Sequence, residues 1–419
     1  MSTITVSHAV RLEQIRDKLE APGTLILGID AAKGRHVGCL CRSSGERLLP
    51  RLYIEGTREG FEHLLHILRR WGDPHQYIVA LEPTSVYARC LDIFLTQHGM
   101  SVIYVNPLKV KSNRRTLDLS GNKSDDRDAY NLVDLARQKK GYLPFRRSEE
   151  QEMLLAVVQE YHARVRERVR LIIRLRLLLE TSFPELERRG RHGPGEDVVE
   201  IMKRYPHPNA IRALSMARFV KSWEGVKGRI KRGQLQEIYR LAQNSVGDRA
   251  HEAACRYRMA EWMDAWDIHQ RRYRTCVTHM HALVDAHPDS SRLLGIPGLG
   301  RVTLATYLAL VGHPGNFQNA RQTAKYFGLD VVENSSGKCL RRRRKLSRRG
   351  SPLLRYALYN GARAAVIHNP ALKQFYERLR SRGKPYRVVM GAVMAKWLRI
   401  LWTIHQNGTV WDPERVKSD

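Results

Sequence analysis

Acidic residues are scarce in this chain of 419 residues compared with basic ones. Lysine and arginine number 72 against 42 aspartates and glutamates, which leaves a formal net charge of +30. So many positive side chains repel one another, which is hard to reconcile with an enzyme that acts on small molecules. The phosphate backbone of a nucleic acid is the commonest partner that neutralises such a charge. The charge therefore predicts a polyanionic partner, with nucleic acid favoured over a membrane surface.

Cysteines and long apolar runs are also few. The 6 cysteines are scattered, with no C-x-x-C pair and no histidine spacing typical of a zinc site, which indicates reduced thiols. No run approaches the roughly 18 apolar residues that a membrane-spanning helix needs, and the first residues lack the apolar stretch of a signal peptide. We therefore expect a soluble intracellular protein.

Strand and helix patterns alternate over residues 22–148. Short apolar runs such as TLILGID, HVGCLC and QYIVALE are typical of strands. Between them, residues 57–71 have four apolar side chains at helical spacing, namely Phe61, Leu64, Leu65 and Leu68. The alternation predicts an α/β domain, preceded by an N-terminal extension over 1–21.

Residues 149–289 change to a helical pattern with two apolar seams. The first seam, interrupted only at Arg168 and ended by Pro184, consists of Leu154, Val158, Tyr161, Val165, Ile172, Leu175 and Leu179. The second, which stops at His287–Pro288, consists of Met259, Trp262, Trp266, His269, Tyr273, Cys276, Met280 and Leu283. These spacings predict two long helices in an antiparallel or intermolecular coiled coil, joined by a polar, basic insertion over about 186–248.

A third, mostly helical domain is predicted over 290–407, followed by a polar tail over 408–419. It opens on Ile-Pro-Gly-Leu-Gly, a turn that resembles a helix-hairpin-helix and ends at Gly300. The backbone N–H groups around Gly298 and Gly300 are candidates for contact with a DNA phosphate, because such a turn precedes a helix N-terminus. The alternative is a plain turn between two helices.

Basic residues are concentrated in the segment KCLRRRRKLSRR at 338–349, which contains no acidic residue. Because this run lies inside a domain and not in a tail, it predicts a phosphate-binding arm whose affinity falls steeply with salt. The candidate nucleic-acid contacts are Arg341, Arg342, Arg343, Arg344, Lys345, Arg348 and Arg349.

Four acidic residues of the α/β domain have the arrangement that a metal-dependent nuclease needs. Asp30 closes the first strand, Glu82 closes a later one, and Asp125 and Asp128 lie on one face at the start of a helix. Mg²⁺ prefers oxygen ligands and stabilises the attacking and leaving oxygens of phosphoryl transfer. The set predicts a Mg²⁺ site, although each residue alone is as typical of a strand end or a helix cap, and Asp126 is a rival to Asp125.

The order and wording of several blocks resemble a known family. The blocks are GIDAAKGRHVG, ALEPTSVY, NKSDDRDAYNLVDLAR, GIPGLGRVTLATYLA, FGLDVVENSSGK, LSRRGSPLLRYALYNGARAA and RGKPYRVVMGAVMAKWLR. Together they are similar to the bacterial insertion-sequence transposases that have an N-terminal RuvC-like DEDD domain and a C-terminal serine domain, the bridge-RNA-guided recombinases. The resemblance covers most of the chain.

The resemblance implies a fold and an activity. It implies an RNase H-like first domain, in which the four acidic residues bind metal, and a serine nucleophile at Ser336, with Ser335 as the fallback. The serine of such enzymes forms a covalent phosphoserine with DNA, in a composite centre shared between protomers. A noncoding guide RNA is expected to pair with donor and target DNA, so that the protein needs only shape and backbone contacts.

Two further functions stay open beside this DNA recombinase. One is a RuvC-like junction nuclease that hydrolyses DNA with metal alone, and the other is a non-catalytic nucleic-acid-binding protein. Because recombination holds two DNA partners together, and because the helical seams suggest self-association, we expect a homodimer that assembles into a tetramer on DNA. The expected location is the cytoplasm, in association with the nucleoid.

Overall fold

The computed structural model describes residues 8–83, 87–117, 125–189, 195–224, 230–248, 250–333 and 344–413. These residues form two compact units. The first contains the chain through residue 147 together with 313–319, and the second contains 148–312 and the chain from 320 onward. The predicted subdivision of the second unit near residue 290 stays a prediction.

The first unit alternates strands and helices around one mixed sheet. Its elements are α1 (His8–Glu20), β1 (Leu25–Asp30), β2 (Arg35–Arg42), β3 (Arg47–Glu55), α2 (Arg58–Arg69), β4 (Tyr77–Leu81), α3 (Tyr87–Gln97), β5 (Ser101–Tyr104), α4 (Pro107–Leu117) and α5 (Asp125–Arg137), with short 3₁₀ turns at Pro74–Gln76 and Pro314–Asn316. The strand order is β3-β2-β1-β4-β5, with β1 and β4 parallel, β4 and β5 parallel, and the other neighbours antiparallel. This arrangement confirms the predicted α/β domain and is consistent with an RNase H-like fold.

The sheet is covered on both faces, and its side chains alternate between two apolar layers. Leu27 and Ile29 of β1 face the layer that also contains the four predicted apolar side chains of α2. Ile26 of β1 faces the opposite layer, which contains Ala129 and Val133 of α5. The N-terminus of α2 is capped by Thr57, whose hydroxyl accepts a hydrogen bond from Gly60 N at 3.1 Å.

The second unit is mostly helical. Its elements are α6 (Glu149–Ser182), α7 (Pro184–Arg188), α8 (Glu196–Arg204), α9 (Pro208–Arg212), α10 (Met216–Lys221), α11 (Arg232–Gln243), α12 (Glu252–Asp285), α13 (Ser290–Leu294), α14 (Arg301–Val311), α15 (Ala320–Tyr326), β6 (Val331–Glu333), β7 (Arg344–Leu346), α16 (Pro352–His368), α17 (Pro370–Ser381) and α18 (Tyr386–Asn407). The antiparallel strands β6 and β7 form a separate two-stranded sheet.

Helices α6 and α12 have 34 residues each and pack along one another in opposite directions. The ring of Tyr161 lies 5.8 Å from that of Tyr273, and Trp262 Nε1 donates to Leu171 O at 2.8 Å. The two predicted long helices are therefore present, and α12 ends before His287–Pro288. That their packing is a coiled coil stays a prediction.

Arg168, the predicted interruption of the α6 seam, is exposed, and its guanidinium lies over the ring of Trp266 of α12 at 6.0 Å. Val165 and Ile172, which the prediction placed in the seam, are only half-buried. Helix α6 packs against α14 as well as α12, and its buried residues outside the predicted seam include Leu155, Val157 and Leu171.

The insertion that the sequence left unassigned is helical. Helices α7 to α11 enclose an apolar core with the end of α6 and the start of α12, in which Leu186, Ile201, Phe219 and Trp262 are fully buried. The polar composition of this stretch therefore reflects its solvent side, and its core residues are too widely spaced to form one periodic run.

Helix α18 is, within the described part of the chain, the one helix long and apolar enough to cross a membrane by length and composition. Of its most apolar stretch, 56% is buried inside the protein. Its Trp397 and Leu401 are completely buried. The composition of α18 is thus accounted for by packing in the core of the second unit.

Candidate active site

Strand register brings Asp30 and Glu82 to the same end of the sheet. Ile29 of β1 is opposite Leu81 of β4 in a parallel pair, and each acidic residue is the next one along its strand. Neighbouring strands lie about 4.8 Å apart, so the two residues follow adjacent strands at the same level. Both side chains are half-buried.

The alternation of side chains assigns both residues to the face covered by α5. Ile26 of β1 and Ile78 and Ala80 of β4 belong to the apolar layer that includes α5. Asp30 and Glu82 continue that alternation by an even number of positions, so they share this face. Asp30 and Glu82, at the C-terminal ends of the inner strands β1 and β4, are together with Asp128 of α5 called the acidic edge below.

A close approach of α5 to β1 positions Asp128. Gly28 of β1 has no side chain, and a Cβ there would lie 2.2 Å from the carbonyl oxygen of Ala129. Ala129 therefore sits directly on β1, two residues before Asp30, and Asp128 precedes it on the helix. The glycine is required at this crossing because no other residue leaves room for the helix backbone.

The carboxylate of Asp128 is almost completely buried, with 5% of the residue exposed. Its Oδ1 lies 2.6 Å from Nη2 of Arg114 on α4. The two groups are close enough for an ion pair, but the N–H bonds of Arg114 do not point at Oδ1, which has no hydrogen-bond partner among the described residues. Asn113 anchors α4 beside it by donating to Asn131 at 2.8 Å and to Asp134 at 2.7 Å.

Asp125 and its rival Asp126 begin α5. The side chain of Asp125 lies outside the described residues. The carboxylate of Asp126 accepts a hydrogen bond from the Arg51 guanidinium. Asp126 is thus ion-paired with a residue of β3, the outer strand of the sheet. Asp125 is one helical turn before Asp128, so the spacing continues to favour it as the partner of Asp128.

His36 holds the turn that follows Asp30. Its Nδ1 accepts a hydrogen bond from the backbone N–H of Ala32 at 3.2 Å, and the residue is 2% exposed. Burial lowers the pKa of His36, against the attraction of Glu55. A neutral ring is also what the bond requires, because a protonated Nδ1 has no lone pair to accept with.

The fit of this edge to a metal ion depends on its oxygens. Asp30, Glu82 and Asp128 provide carboxylate oxygens, the donor type that hard divalent cations prefer, although Oδ1 of Asp128 is already paired with the Arg114 guanidinium. No group of three histidine, cysteine, aspartate or glutamate side chains in the described ranges is close enough together to hold a metal. The acidic edge is thus a partial ligand set, to which the undescribed side chain of Asp125 is the predicted addition.

The predicted nucleophile lies, in sequence, between two short strands of the second unit. Ser336, Ser335, Arg341, Arg342 and Arg343 lie outside the described residues, and of Arg344 only the backbone is described. The segment that contains them joins β6 to β7, whose ladder pairs Glu333 with Arg344 and Val331 with Leu346. The ends of the serine segment are therefore held next to one another.

Arg355 of α16 fixes the chain on the far side of this ladder. Its Nη1 donates to the carbonyl oxygens of Phe327, Arg349 and Gly350 at 3.2, 2.8 and 3.1 Å. The hydroxyl of Ser347 also donates to Asp330. The ladder of β6 and β7 with these two side-chain contacts is called the hairpin base below.

The backbone at the hairpin base is close-packed. Cβ atoms at Gly328 and Gly350 would lie 2.2 Å from Arg349 O and 2.1 Å from Tyr326 O, and both glycines have positive φ. Arg348 also adopts a left-handed conformation, with a φ of 54°. Its side chain and those of Lys345 and Arg349 are exposed, as a contact with nucleic acid requires.

The two glycines of the predicted phosphate turn have different surroundings. Gly298 has a φ of +84°, and a Cβ there would lie 2.4 Å from Cα of Ala365 on α16. Gly300 is the N-cap of α14 and faces open space. Packing therefore accounts for Gly298, while the contact of this turn with phosphate stays a prediction.

Sequence reasoning missed Arg114, His36 and Arg355. Each acts through a contact with a residue further along the sequence or with a backbone atom, and arginines are too frequent in this chain for any one to stand out. The one usable signal was Gly28, a glycine inside an apolar strand, which is typical of a close backbone approach.

Comparison with protein families gives two matches. A transposase model, DEDD_Tnp_IS110, matches residues 27–184 and so includes the whole acidic edge. A second model, Transposase_20, described as transposase of the IS116/IS110/IS902 family, matches residues 290–377 and includes the hairpin base. A DEDD transposase domain implies dependence on a divalent metal.

Individual relatives cover nearly the whole chain. The insertion element IS110 uncharacterized 43.6 kDa protein of Streptomyces coelicolor is 27% identical over 93% of this chain and 95% of its own length. The insertion element IS116 uncharacterized 44.8 kDa protein of Streptomyces clavuligerus is 24% identical over 92% of this chain and 96% of its own length. The pilin gene-inverting protein of Moraxella lacunata is 30% identical over 31% of this chain and 42% of its own length.

These matches agree with the mixed sheet, the acidic edge and the excess of basic residues. The relatives include proteins of insertion elements and a gene-inverting protein, and both family models describe transposases. The chain therefore belongs to the IS110/IS116 family of insertion-sequence transposases, enzymes that act on DNA, with a DEDD transposase domain in its N-terminal part and a Transposase_20 domain in its C-terminal part.

Proposed function

We propose that this transposase is an RNA-guided DNA recombinase that cuts and rejoins DNA through Ser336, assisted by Mg²⁺ at Asp30, Glu82, Asp125 and Asp128. The observation that carries the proposal is the strand register of the acidic edge. It aligns Asp30 with Glu82 on the face of α5, where a metal-dependent phosphoryl-transfer site needs its carboxylates.

The four acidic residues are the proposed metal ligands, and each has its own support. Asp30 and Glu82 follow adjacent strands, and the close approach of Ala129 to Gly28 supports Asp128, the residue before Ala129, as the third ligand. Asp125 is proposed from its spacing to Asp128. When bound, Mg²⁺ supplies positive charge that stabilises the oxygens of the phosphodiester in its transition state.

Ser336 is the proposed nucleophile, with Ser335 as the alternative. Its Oγ attacks the scissile phosphorus, an Oγ–P bond forms, and the bond from phosphorus to the leaving strand's ester oxygen breaks. The hydroxyl proton passes to a base and the leaving oxygen gains a proton. Because the phosphoserine conserves the energy of the broken bond, the second strand can be joined by the reverse reaction.

Basic residues near the serine are the proposed contacts with the DNA backbone. They are Arg341, Arg342, Arg343, Arg344, Lys345, Arg348 and Arg349, together with the backbone N–H groups at Gly298 and Gly300. Lys345, Arg348 and Arg349 are exposed, which supports this role. A noncoding RNA of the element is proposed to pair with donor and target DNA, so that the protein reads shape and charge.

A homodimer that assembles into a tetramer on DNA is the proposed active form. Recombination joins two DNA partners, and a composite centre would combine the acidic edge of one protomer with the serine of another. Light scattering of the protein with bound element DNA and transcript is expected to give the mass of a tetramer. A strictly monomeric mass would contradict this part of the proposal.

The decisive experiment is denaturing electrophoresis of the protein with labelled element-junction DNA, the element's flanking transcript and Mg²⁺. We expect a covalent protein–DNA band that disappears in Ser336→Ala and persists in the matched control Ser335→Ala. Omission of the transcript is expected to abolish the band, because the guide RNA selects the site.

Other outcomes point to the two alternatives. Free nicked ends that persist in Ser336→Ala and disappear in Asp30→Ala would identify a junction nuclease that uses metal alone. DNA binding without any cleavage product, unchanged in Asp30→Ala, would identify a non-catalytic nucleic-acid-binding protein.

A further inference from the structure

A groove of the second unit lies between α6 and the first turns of α16. Its volume is about 530 Å³, within the range of roughly 300–1,000 Å³ that is typical of ligand sites. The side chains that matter below are His162, Arg166, Val169, Arg170, Leu353 and Tyr356. None of them was assigned a role above.

The groove combines an apolar surface with positive charge. Val169 and Tyr356 are 55% and 50% exposed, although side chains with this much apolar surface are more often buried. Arg166 and Arg170 are exposed on the same face of α6, one helical turn apart. Among the described residues that line the groove none is acidic, so the site favours an occupant that is apolar in one part and anionic in another.

His162 adds a polar group to the lining. It is 4% exposed, and its ring meets that of Tyr356 edge to face at 5.6 Å between centroids. Its Nε2 has no hydrogen-bond partner among the described residues. This nitrogen is itself buried, so His162 contributes to the groove by supporting the ring of Tyr356 from the side.

We propose that this groove binds one unpaired nucleotide of a DNA strand. The base stacks on Tyr356 among Val169 and Leu353, and the flanking phosphates contact Arg166 and Arg170. The nucleotide must be unpaired, because a base inside a duplex has no free face to offer an aromatic ring.

DNA is favoured over other occupants by charge and by family. The chain has a net charge of +30 and belongs to a family that acts on DNA, and exchange of strands leaves nucleotides unpaired. A base with its phosphates also matches the flat apolar surface and the two arginines. This inference rests on charge and on family membership, so it stands or falls separately from Ser336, the metal and the guide RNA.

The test uses the full-length protein and a single-stranded oligodeoxynucleotide that contains 5-iododeoxyuridine. Affinity is measured at several salt concentrations, and the protein is then crosslinked by light and digested so that the attached peptide can be identified. The variants are Tyr356→Ala, Tyr356→Phe and the double variant of Arg166→Ala with Arg170→Ala. Tyr257→Ala is the matched control, because Tyr257 is a 67% exposed tyrosine of α12 outside the groove.

The expected crosslink is to the peptide that contains Tyr356. Loss of one stacked base in Tyr356→Ala should weaken single-strand binding about 5- to 150-fold, with Tyr356→Phe close to wild type. The double arginine variant should flatten the slope of log affinity against log salt by about 1.4, or about 0.7 for each lost charge. Binding to a duplex of the same length should be unchanged by Tyr356→Ala.

Three results would overturn the proposal. Equal effects of Tyr356→Ala and Tyr257→Ala on single-strand binding would mean that the groove has no special role. An effect on the duplex as large as on the single strand would exclude stacking of an unpaired base. If Tyr356→Ala weakened binding to an RNA oligonucleotide of the same sequence, or to phosphatidylserine vesicles, but left DNA binding unchanged, the groove would have another occupant. Thermal unfolding of each variant checks that the fold is intact.

Discussion

The acidic edge and the hairpin base are held in place by different kinds of contact. In the acidic edge the backbone positions the residues, through the register of β1 with β4 and the contact of Gly28 with α5. In the hairpin base a ladder of three residue pairs is supplemented by side chains, above all Arg355. A site set by backbone contacts should be sensitive to added volume, whereas a site set by one side chain should be sensitive to its removal.

The largest effect is expected where added volume meets backbone. In Gly28→Ala the new Cβ would overlap the carbonyl oxygen of Ala129, so α5 must move away from β1. Overpacking of this kind should lower the free energy of unfolding by about 3 kcal/mol. Urea denaturation followed by circular dichroism measures it.

Gly38→Ala is the matched control in the neighbouring strand. A Cβ at Gly38 has ordinary contacts of 3.5 Å with Ile54 and Leu27, so this change should be neutral or slightly stabilising. Equal stability of the two variants would show that the crossing at Gly28 is not what positions α5.

This contrast also explains which parts of the fold could be predicted. That Asp30 and Glu82 close strands follows from the apolar runs before them, whereas their common level and face depend on the register of β1 with β4. The hairpin base depends on an arginine that reaches three carbonyl groups, and no local pattern distinguishes Arg355 from the other arginines.

The two long helices show the same limit within one pattern. The predicted seam of α12 includes Trp262, Trp266 and His269, which are all buried. On α6 the seam residues Val165 and Ile172 are only half-buried, and the helix packs against α14 as well as α12. Periodicity finds the apolar face of a helix, but it does not say how many neighbours share that face.

The second effect in size is expected at the hairpin base. Arg355→Ala removes the donor to three carbonyl oxygens and should destabilise this region by about 2 kcal/mol. Hydrogen exchange of the backbone N–H groups in β6 and β7 should become faster. Lys345→Ala is the control, because Lys345 is exposed on β7 and its loss should leave exchange unchanged. Unchanged exchange in Arg355→Ala would mean that the ladder is sufficient by itself.

A smaller effect is expected for the ion pair of Arg114 with Asp128 in the acidic edge. Arg114→Ala leaves the buried carboxylate of Asp128 without its cation, but Arg114 is 31% exposed, so the loss should be only about 1 kcal/mol without divalent cations. Added Mg²⁺ should stabilise Arg114→Ala more than wild type if these carboxylates bind it, as measured by thermal unfolding with and without the ion.

The control for this pair is a double-mutant cycle. In an Asp128→Asn background the buried charge is absent, so Arg114→Ala should cost little. The same loss in both backgrounds would show that Arg114 stabilises α4 through other contacts and is not coupled to Asp128.

The smallest effect is expected from pH, and it concerns the turn after Asp30. Because burial lowers the pKa of His36 in the folded state, the unfolded chain binds a proton more readily than the folded one. The contribution of His36 is therefore fully present above the unfolded pKa of about 6.5, and it is lost as pH falls from there through the lower folded pKa. Protonation also removes the acceptor for Ala32 N–H, so it should loosen the backbone beside the acidic edge.

His36→Gln tests this directly, because glutamine can accept the same hydrogen bond without titrating. The difference in unfolding free energy between wild type and His36→Gln should therefore change below pH 6.5 and stay constant above it, with wild type losing stability in acid. His63→Gln is the control, since His63 is exposed on α2 and its loss should leave the pH dependence of wild type intact. A parallel pH dependence in wild type and His36→Gln would mean that the turn is held by the closing bond from Gly56 N to Gly34 O instead. In that case the turn after Asp30 would depend on a backbone contact, like the crossing at Gly28, and the contrast with the hairpin base would be sharper than drawn above.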